Sequence, residues 1–75
     1  MNNRVKIRLE TSEQVVKFIN QIHTTDAQVH LTNGDNFRVS GRSLLGAMCT
    51  IEWDDVYCES DKPIDHILMD YLVLD

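Results

Sequence analysis

The sequence predicts an α+β domain: helices cover one face of a four-stranded, mainly antiparallel sheet, in the order β-α-β-β-α-β-α. Three observations lead there. Four short segments alternate apolar and polar residues with a period of two, the signature of half-buried strands. Other segments carry apolar residues at helical spacing. The chain has 75 residues, enough for one domain over 1–75, with a thin core because a chain this short buries only about 60% of its unfolded surface. Few strands with helices confined to one face of the sheet make this arrangement α+β.

The first strand is read from Val5, Ile7 and Leu9 alternating with Arg4, Lys6, Arg8 and Glu10. Thr11-Ser12-Glu13-Gln14 then signals a helix start, Thr11 and Gln14 having the spacing of a capping box. Val15, Phe18, Ile19 and Ile22 give that helix an apolar stripe, with Val16 beside it, and His23-Thr24-Thr25-Asp26 ends it. A second strand follows from Ala27, Val29 and Leu31 alternating with Gln28, His30 and Thr32. Asn33-Gly34 is a two-residue hairpin signal, requiring positive φ at both positions. Phe37 and Val39, alternating with Asn36, Arg38 and Ser40, form the return strand.

Gly41-Arg42-Ser43 opens a short apolar helix, Leu44-Leu45-Gly46-Ala47-Met48, with Ser43 as its N-cap. The fourth strand is Asp54–Ser60, with Val56 and Cys58 inward. Asp61-Lys62-Pro63 starts the last helix, since proline suits a first helical turn. Its stripe is Ile64, Ile67, Leu68, Tyr71 and Leu72, extended by Leu74, with Asp65 and Asp70 outside. The uncovered face of the sheet then carries Arg4, Lys6, Arg8, Gln28, His30, Arg38, Asp55, Tyr57 and Glu59.

Composition excludes several classes. Hydrophobic residues are 43% and charged residues 25%, ordinary globular usage rather than that of a disordered chain. The net charge of −5 argues against a nucleic-acid binder, which needs a basic surplus. The longest apolar runs fall far short of the ~20 residues that span a bilayer. Met1-Asn2-Asn3-Arg4 leads into alternating charge and is no signal peptide. With two cysteines nine apart, the expectation is free thiols in a reducing cytoplasm. The charge is uneven. Residues 1–42 carry six Lys/Arg against four Asp/Glu, while 43–75 carry one lysine against eight acids. Either two halves of one fold pair edge to edge, or a field steers a partner. If the first and fourth strands are neighbours, Arg4, Lys6 and Arg8 face Asp55 and Glu59.

Phe37-Arg38-Val39-Ser40-Gly41-Arg42-Ser43-Leu44-Leu45-Gly46-Ala47-Met48 resembles the phosphocarrier HPr family of the bacterial sugar phosphotransferase system. The specific part is Ser43-Leu44-Leu45-Gly46-Ala47-Met48, a strand followed by a short helix opened by serine. Val15 through Leu31 lies in register with the family's first helix and second strand. The resemblance implies an open-faced β-sandwich with strand order 1-4-2-3. It marks Ser43 as a regulatory phosphorylation site, and Leu44, Leu45 and Met48 as an apolar partner-binding patch, Leu44 and Met48 being the pair expected to be exposed. The family's phosphate-accepting histidine sits in a His-Ala-Arg-Pro run between the first strand and the first helix. Here that junction reads Leu9-Glu10-Thr11-Ser12-Glu13-Gln14, shorter and without His, Arg or Pro. Histidine suits phosphoryl relay because its neutral ring nitrogen is a nucleophile, and Glu13 would repel phosphate. Thr11, Ser12 and Glu13 thus read as a degenerate active-site loop.

No other chemistry is legible. His23, His30 and His66, with Cys49 and Cys58, lack zinc-site spacing, so neither metal nor cofactor is expected. Cys58 reads as a core residue and Cys49 as partly exposed. Glu52, Asp54 and Asp55 read as a solvated loop and strand start, and Trp53 as a half-buried cap on the core. No catalytic triad or phosphate loop is present, which argues against an enzyme. The leading expectation is an HPr-like regulatory or protein-interaction domain that binds protein partners of the phosphotransferase system or carbon regulation. The alternatives are a phosphocarrier with a displaced acceptor, His23 or His30, and an unrelated small α+β binding domain with, for instance, a ferredoxin-like strand order.

Overall fold

The N-terminal alternation forms a strand, but the strand stops before the alternation does. In the computed structural model, which describes residues 3–73, β1 spans Asn3–Ile7. Its last residue faces Val56, the first residue of the partner strand. Beyond that point no ladder remains, so residues 8–10 connect to the next helix while Leu9 stays buried. That helix, α1, spans Ser12–Ile22. Thr11 Oγ1 accepts from the Gln14 N–H at 3.1 Å, and Gln14 Oε1 accepts from the N–H groups of Glu10 at 2.7 Å and Thr11 at 3.3 Å. This is the expected capping box. Val15, Phe18, Ile19 and Ile22 are all buried, and Val16 is exposed.

The hairpin departs from expectation. β2 spans Val29–Thr32 and β3 Arg38–Ser40, so residues 33–37 form a five-residue loop rather than a two-residue turn. Of the two turn residues only Gly34 has positive φ, at 84°. Asn33 instead accepts hydrogen bonds through Oδ1 from the N–H groups of Asp35 at 2.9 Å and Phe37 at 3.2 Å. A side chain that binds amides two and four residues ahead closes a wider loop. Thr32, a polar member of the alternation, is buried: its hydroxyl donates to the Phe37 carbonyl at 2.7 Å and accepts from the Gly34 N–H at 3.0 Å.

After β3 the chain passes hard against β2. A Cβ at Gly41 would lie 2.5 Å from Val29 Cγ1, and the Gly41 N–H donates to the Val29 carbonyl at 2.8 Å. α2 then spans Leu44–Cys49 and is continued by a 3₁₀ turn over Thr50–Glu52. β4 spans Val56–Ser60.

The last helix is shorter than expected. α3 covers only Asp65–Leu68, and Asp61-Lys62-Pro63 precedes rather than opens it. Ile64, Ile67, Leu68 and Tyr71 are buried as the stripe predicts. Leu72 is not, being 42% exposed. The chain has left the helix by then and runs along the free edge of β1: the Arg8 N–H donates to the Tyr71 carbonyl at 2.8 Å, and Leu72 bridges Ile7. Leu74 lies outside the described residues.

The sheet order is β1-β4-β2-β3, every pair antiparallel. This is the 1-4-2-3 order, not a ferredoxin-like one. The register aligns Val5, Cys58, Leu31 and Val39 in one row beneath the helices. Burial pushes the Cys58 thiol up to about 12, with the Glu59 charge adding to it, so Cys58 acts as a small core hydrophobe. On α1, Phe18 meets Tyr71 edge-to-face at 5.3 Å, and the Tyr71 hydroxyl donates to Gln21 Oε1. On the open face, Glu59 receives Arg4 at 2.9 Å and Arg38 at 3.4 Å, and Lys6 reaches Asp55 at 3.2 Å. The basic first strand and the acidic fourth strand therefore pair within the fold.

Candidate functional site

Two helix starts stand where chemistry is expected, and the fold places them at opposite ends of α1. At the first, Glu10, Thr11, Ser12 and Glu13 are all exposed. The Thr11 hydroxyl and the Gln14 carboxamide are held in the capping box, and Glu13 puts a carboxylate in the first helical turn. Beside this junction lies a cleft of about 310 Å³, whose walls include Arg8, Glu10, Trp53 and Asp54. Its charges are mixed, and no imidazole borders it.

At the second start, Ser43 Oγ accepts from the Gly46 N–H at 3.2 Å, capping α2 as the sequence predicts. The preceding residue anchors this end. Arg42 Nη1 donates to the carbonyls of Ile22 at 3.2 Å, Thr25 at 2.8 Å and Ala27 at 3.2 Å. A guanidinium thus closes the C-terminal end of α1, where orphan carbonyls favour a cation. His23 Nε2 lies 3.1 Å from the Arg42 carbonyl oxygen, which can only accept, so the ring presents Nε2–H to it. Ser43 therefore follows an anchor at the C-terminal end of α1, whereas the Thr11 junction lies at its N-terminal end.

α2 buries Ala47 and leaves Leu44, Leu45 and Met48 exposed. Leu45 protrudes most, at 82% exposure. No charged residue occurs from Ser43 to Ile51, so the exposed ridge is both apolar and neutral. Cys49, also on α2, is an exposed free thiol.

The histidines are not brought together. His23 ends α1, His30 faces Glu59 and Ser40 across the open side of the sheet, and His66 lies on α3. Among the described residues no group of three His, Cys, Asp or Glu is placed to hold a metal ion. No described helix is long and apolar enough to cross a membrane.

Three features escape sequence reasoning. Arg42's partners are backbone carbonyls 15 to 20 residues away, which no side-chain pattern marks. Phe37, alternating in step with Val39, is nevertheless 57% exposed and stacks on Trp53 with ring centres 6.1 Å apart. Its signal was the asparagine of the preceding loop, which lifts it out of the ladder. An apolar groove between Val5, Leu68, Met69 and Leu72 follows from the early end of α3.

The sequence matches no protein-family model and no curated protein. The structure is similar to that of HPr-C-His from Thermoanaerobacter tengcongensis, with a TM-score of 0.67 and 18% sequence identity over 93% of this chain and 88% of that one. Four antiparallel strands in the order β1-β4-β2-β3, helices on one face only and a serine-capped short helix after β3 give this chain the HPr-like open-faced sandwich.

Proposed function

We propose that this HPr-like domain is a regulatory protein-interaction module that docks partners through α2 and does not carry phosphate on histidine. The observation that carries the reading is the contrast in exposed chemistry. Leu44, Leu45 and Met48 form a neutral apolar ridge in solvent, while the α1 junction offers a capping box in place of a nucleophilic imidazole. Exposed leucine and methionine suit adaptable protein interfaces. Ser43, at the head of the ridge, is the position where phosphorylation would alter docking, because it sets about two negative charges beside an apolar surface. The partner class is a phosphotransferase-system or carbon-regulation protein in the cytoplasm.

The test has three arms. Phosphoenolpyruvate and the general phosphotransferase enzyme should leave the protein without acid-labile phosphate; phosphate on any histidine would overturn the reading. Titration with that enzyme, followed by amide chemical shifts, should perturb residues 44–48 and lose the effect in Leu45→Asp. Perturbations centred elsewhere would sink the docking assignment. Mass spectrometry of protein from its native cells tests Ser43: a residue unmodified across carbon sources removes the regulatory role.

A further inference from the structure

A second surface, lined by none of the α2 ridge residues, follows the Thr50–Glu52 turn in the chain, and its chemistry differs. Phe37 leans out of the β2–β3 loop and stacks on Trp53 at an interplanar angle of 26°. Trp53 is half-buried and packs against the core, so it holds Phe37 in place from behind. The loop that lifts Phe37 is itself fixed by Asn33 and Thr32. A rigid aromatic face in solvent is uncommon in a thin-cored domain, because that ring area would stabilise the fold more if buried.

The surroundings select the partner. The depression beside the two rings is about 360 Å³, and Asp35, Glu52 and Asp54 are among the side chains around it. These three carry no ion pair among the described residues, in contrast to Asp55, on the same rim but paired with Lys6, and to Glu59, which Arg4 and Arg38 neutralise. Elsewhere the same molecule shows how it handles an aromatic face and a cation: the Arg4 guanidinium lies 5.6 Å from the Tyr57 ring centre, while Glu59 binds the guanidinium from the side. Phe37 and Trp53, with carboxylates at the rim, offer that arrangement to a cation from outside the chain. Neither a nucleic acid nor an acidic peptide fits an aromatic face rimmed by acids.

We infer that the Phe37–Trp53 face is a docking surface for an arginine- or lysine-bearing segment of a partner protein. A guanidinium stacks on the ring face while the rim carboxylates accept its N–H groups. The surface is separate from the α2 ridge, so the domain can hold two protein segments of opposite character, one apolar and one basic.

Trp53 is the sole tryptophan and reports its own surface. The probe is a hexa-arginine peptide, with its glutamine-substituted counterpart as control, followed by Trp53 fluorescence. The expected result is a saturable change with hexa-arginine alone. Phe37→Ala and Phe37→Leu should both weaken it about two- to fivefold, the range of an exposed cation–aromatic contact. Phe37→Leu keeps apolar bulk without a ring face, so wild-type affinity in that variant would overturn the proposal. Asp54→Asn should also weaken binding, while Asp65→Asn, an equal charge change on α3, should not. Absence of saturable change, or equal weakening by the two Asp→Asn variants, would reduce the effect to diffuse attraction toward an acidic protein and overturn it. Leu45→Asp should leave the fluorescence response intact, which keeps this test independent of docking at α2.

Discussion

Thr11 and Ser43 each cap a helix with a hydroxyl, accepting from an amide at 3.1 Å and 3.2 Å respectively. Around Thr11 the cap is reciprocated from within the helix, because Gln14 reaches back to two backbone amides and fixes the junction. Around Ser43 the fixing is done from outside the helix by Arg42, and Leu44, Leu45 and Met48 of α2 stay in solvent. The same local device therefore produces a closed junction in one place and an exposed ridge in the other. What differs is where the anchoring group comes from: within the helix at α1, from a preceding residue bound to a different element at α2.

The largest effect tests that external anchor. Replacing Arg42 with Ala strips the charged donor from the carbonyls of Ile22, Thr25 and Ala27. Hydrogen bonds to a charged group contribute about 1.5–3 kcal/mol, so the loss should approach 3 kcal/mol in urea unfolding. Arg42→Lys, which keeps the charge but not the fork, should fall between. A stability unchanged by Arg42→Ala would mean that α2 is held by its own packing, and the contrast between the two starts would collapse.

Cap deletion comes next in size. Thr11→Ala breaks a reciprocal box and should cost about 1.5 kcal/mol, whereas Ser43→Ala removes one amide contact and should cost about 0.5 kcal/mol, both within the measured range for caps. Ser43→Asp should leave stability close to wild type, since aspartate caps equally well and its charge suits a helix N-terminus. Thermal unfolding of the three variants checks the order; a larger loss at Ser43 than at Thr11 would invert the comparison.

Legibility followed the same division. α1 was readable from end to end because its cap, stripe and box all lie within fourteen residues of one another. The strand order and the serine-capped helix were readable through the resemblance carried by Ser43–Met48. What could not be read depends on partners distant in sequence. β1 ends at Ile7 because β4 begins at Val56, not because its own alternation fails at Leu9. Leu72 is exposed because β1 offers a free edge that draws residues 71–73 out of helical geometry. At the candidate sites, the exposure of Leu44 and Met48 was legible through the resemblance, whereas that of Leu45 depended on which side of a six-residue helix turned inward, a side that Ala47 marks by its full burial.

Leu45→Asp should separate folding from docking. The side chain is 82% exposed, so the change should move stability by no more than about 0.5 kcal/mol. Binding of a partner to the ridge should nevertheless disappear, since a carboxylate would be desolvated at its apex. A large loss of stability, seen by calorimetry, would place Leu45 in the fold and leave the ridge without its most prominent member.

The smallest expected effect lies where the loop after α1 meets the one after β4. Lys62 Nζ donates to Asp26 Oδ1 at 2.8 Å. That hydrogen bond, with the lysine charge beside it, holds the Asp26 carboxyl below its ordinary value of 3.8 and raises Lys62 above 10.5. The two shifts act on stability at opposite ends of the pH scale. Asp26 contributes fully above 3.8, and its contribution disappears as pH falls through the lower folded value. Lys62 contributes fully below 10.5, and its contribution disappears as pH rises through the higher folded value. Between these limits the pair adds a constant and small amount, because both groups are fully exposed and screened by water and salt. Asp26→Asn should therefore lower the melting temperature slightly and evenly across neutral pH, and the difference from wild type should vanish in strong acid. A difference that persists below pH 2 would show that Asp26 acts through its own backbone contact and not through Lys62. The Arg42 anchor would then be the main polar tie, among the described residues, between the end of α1 and the rest of the domain.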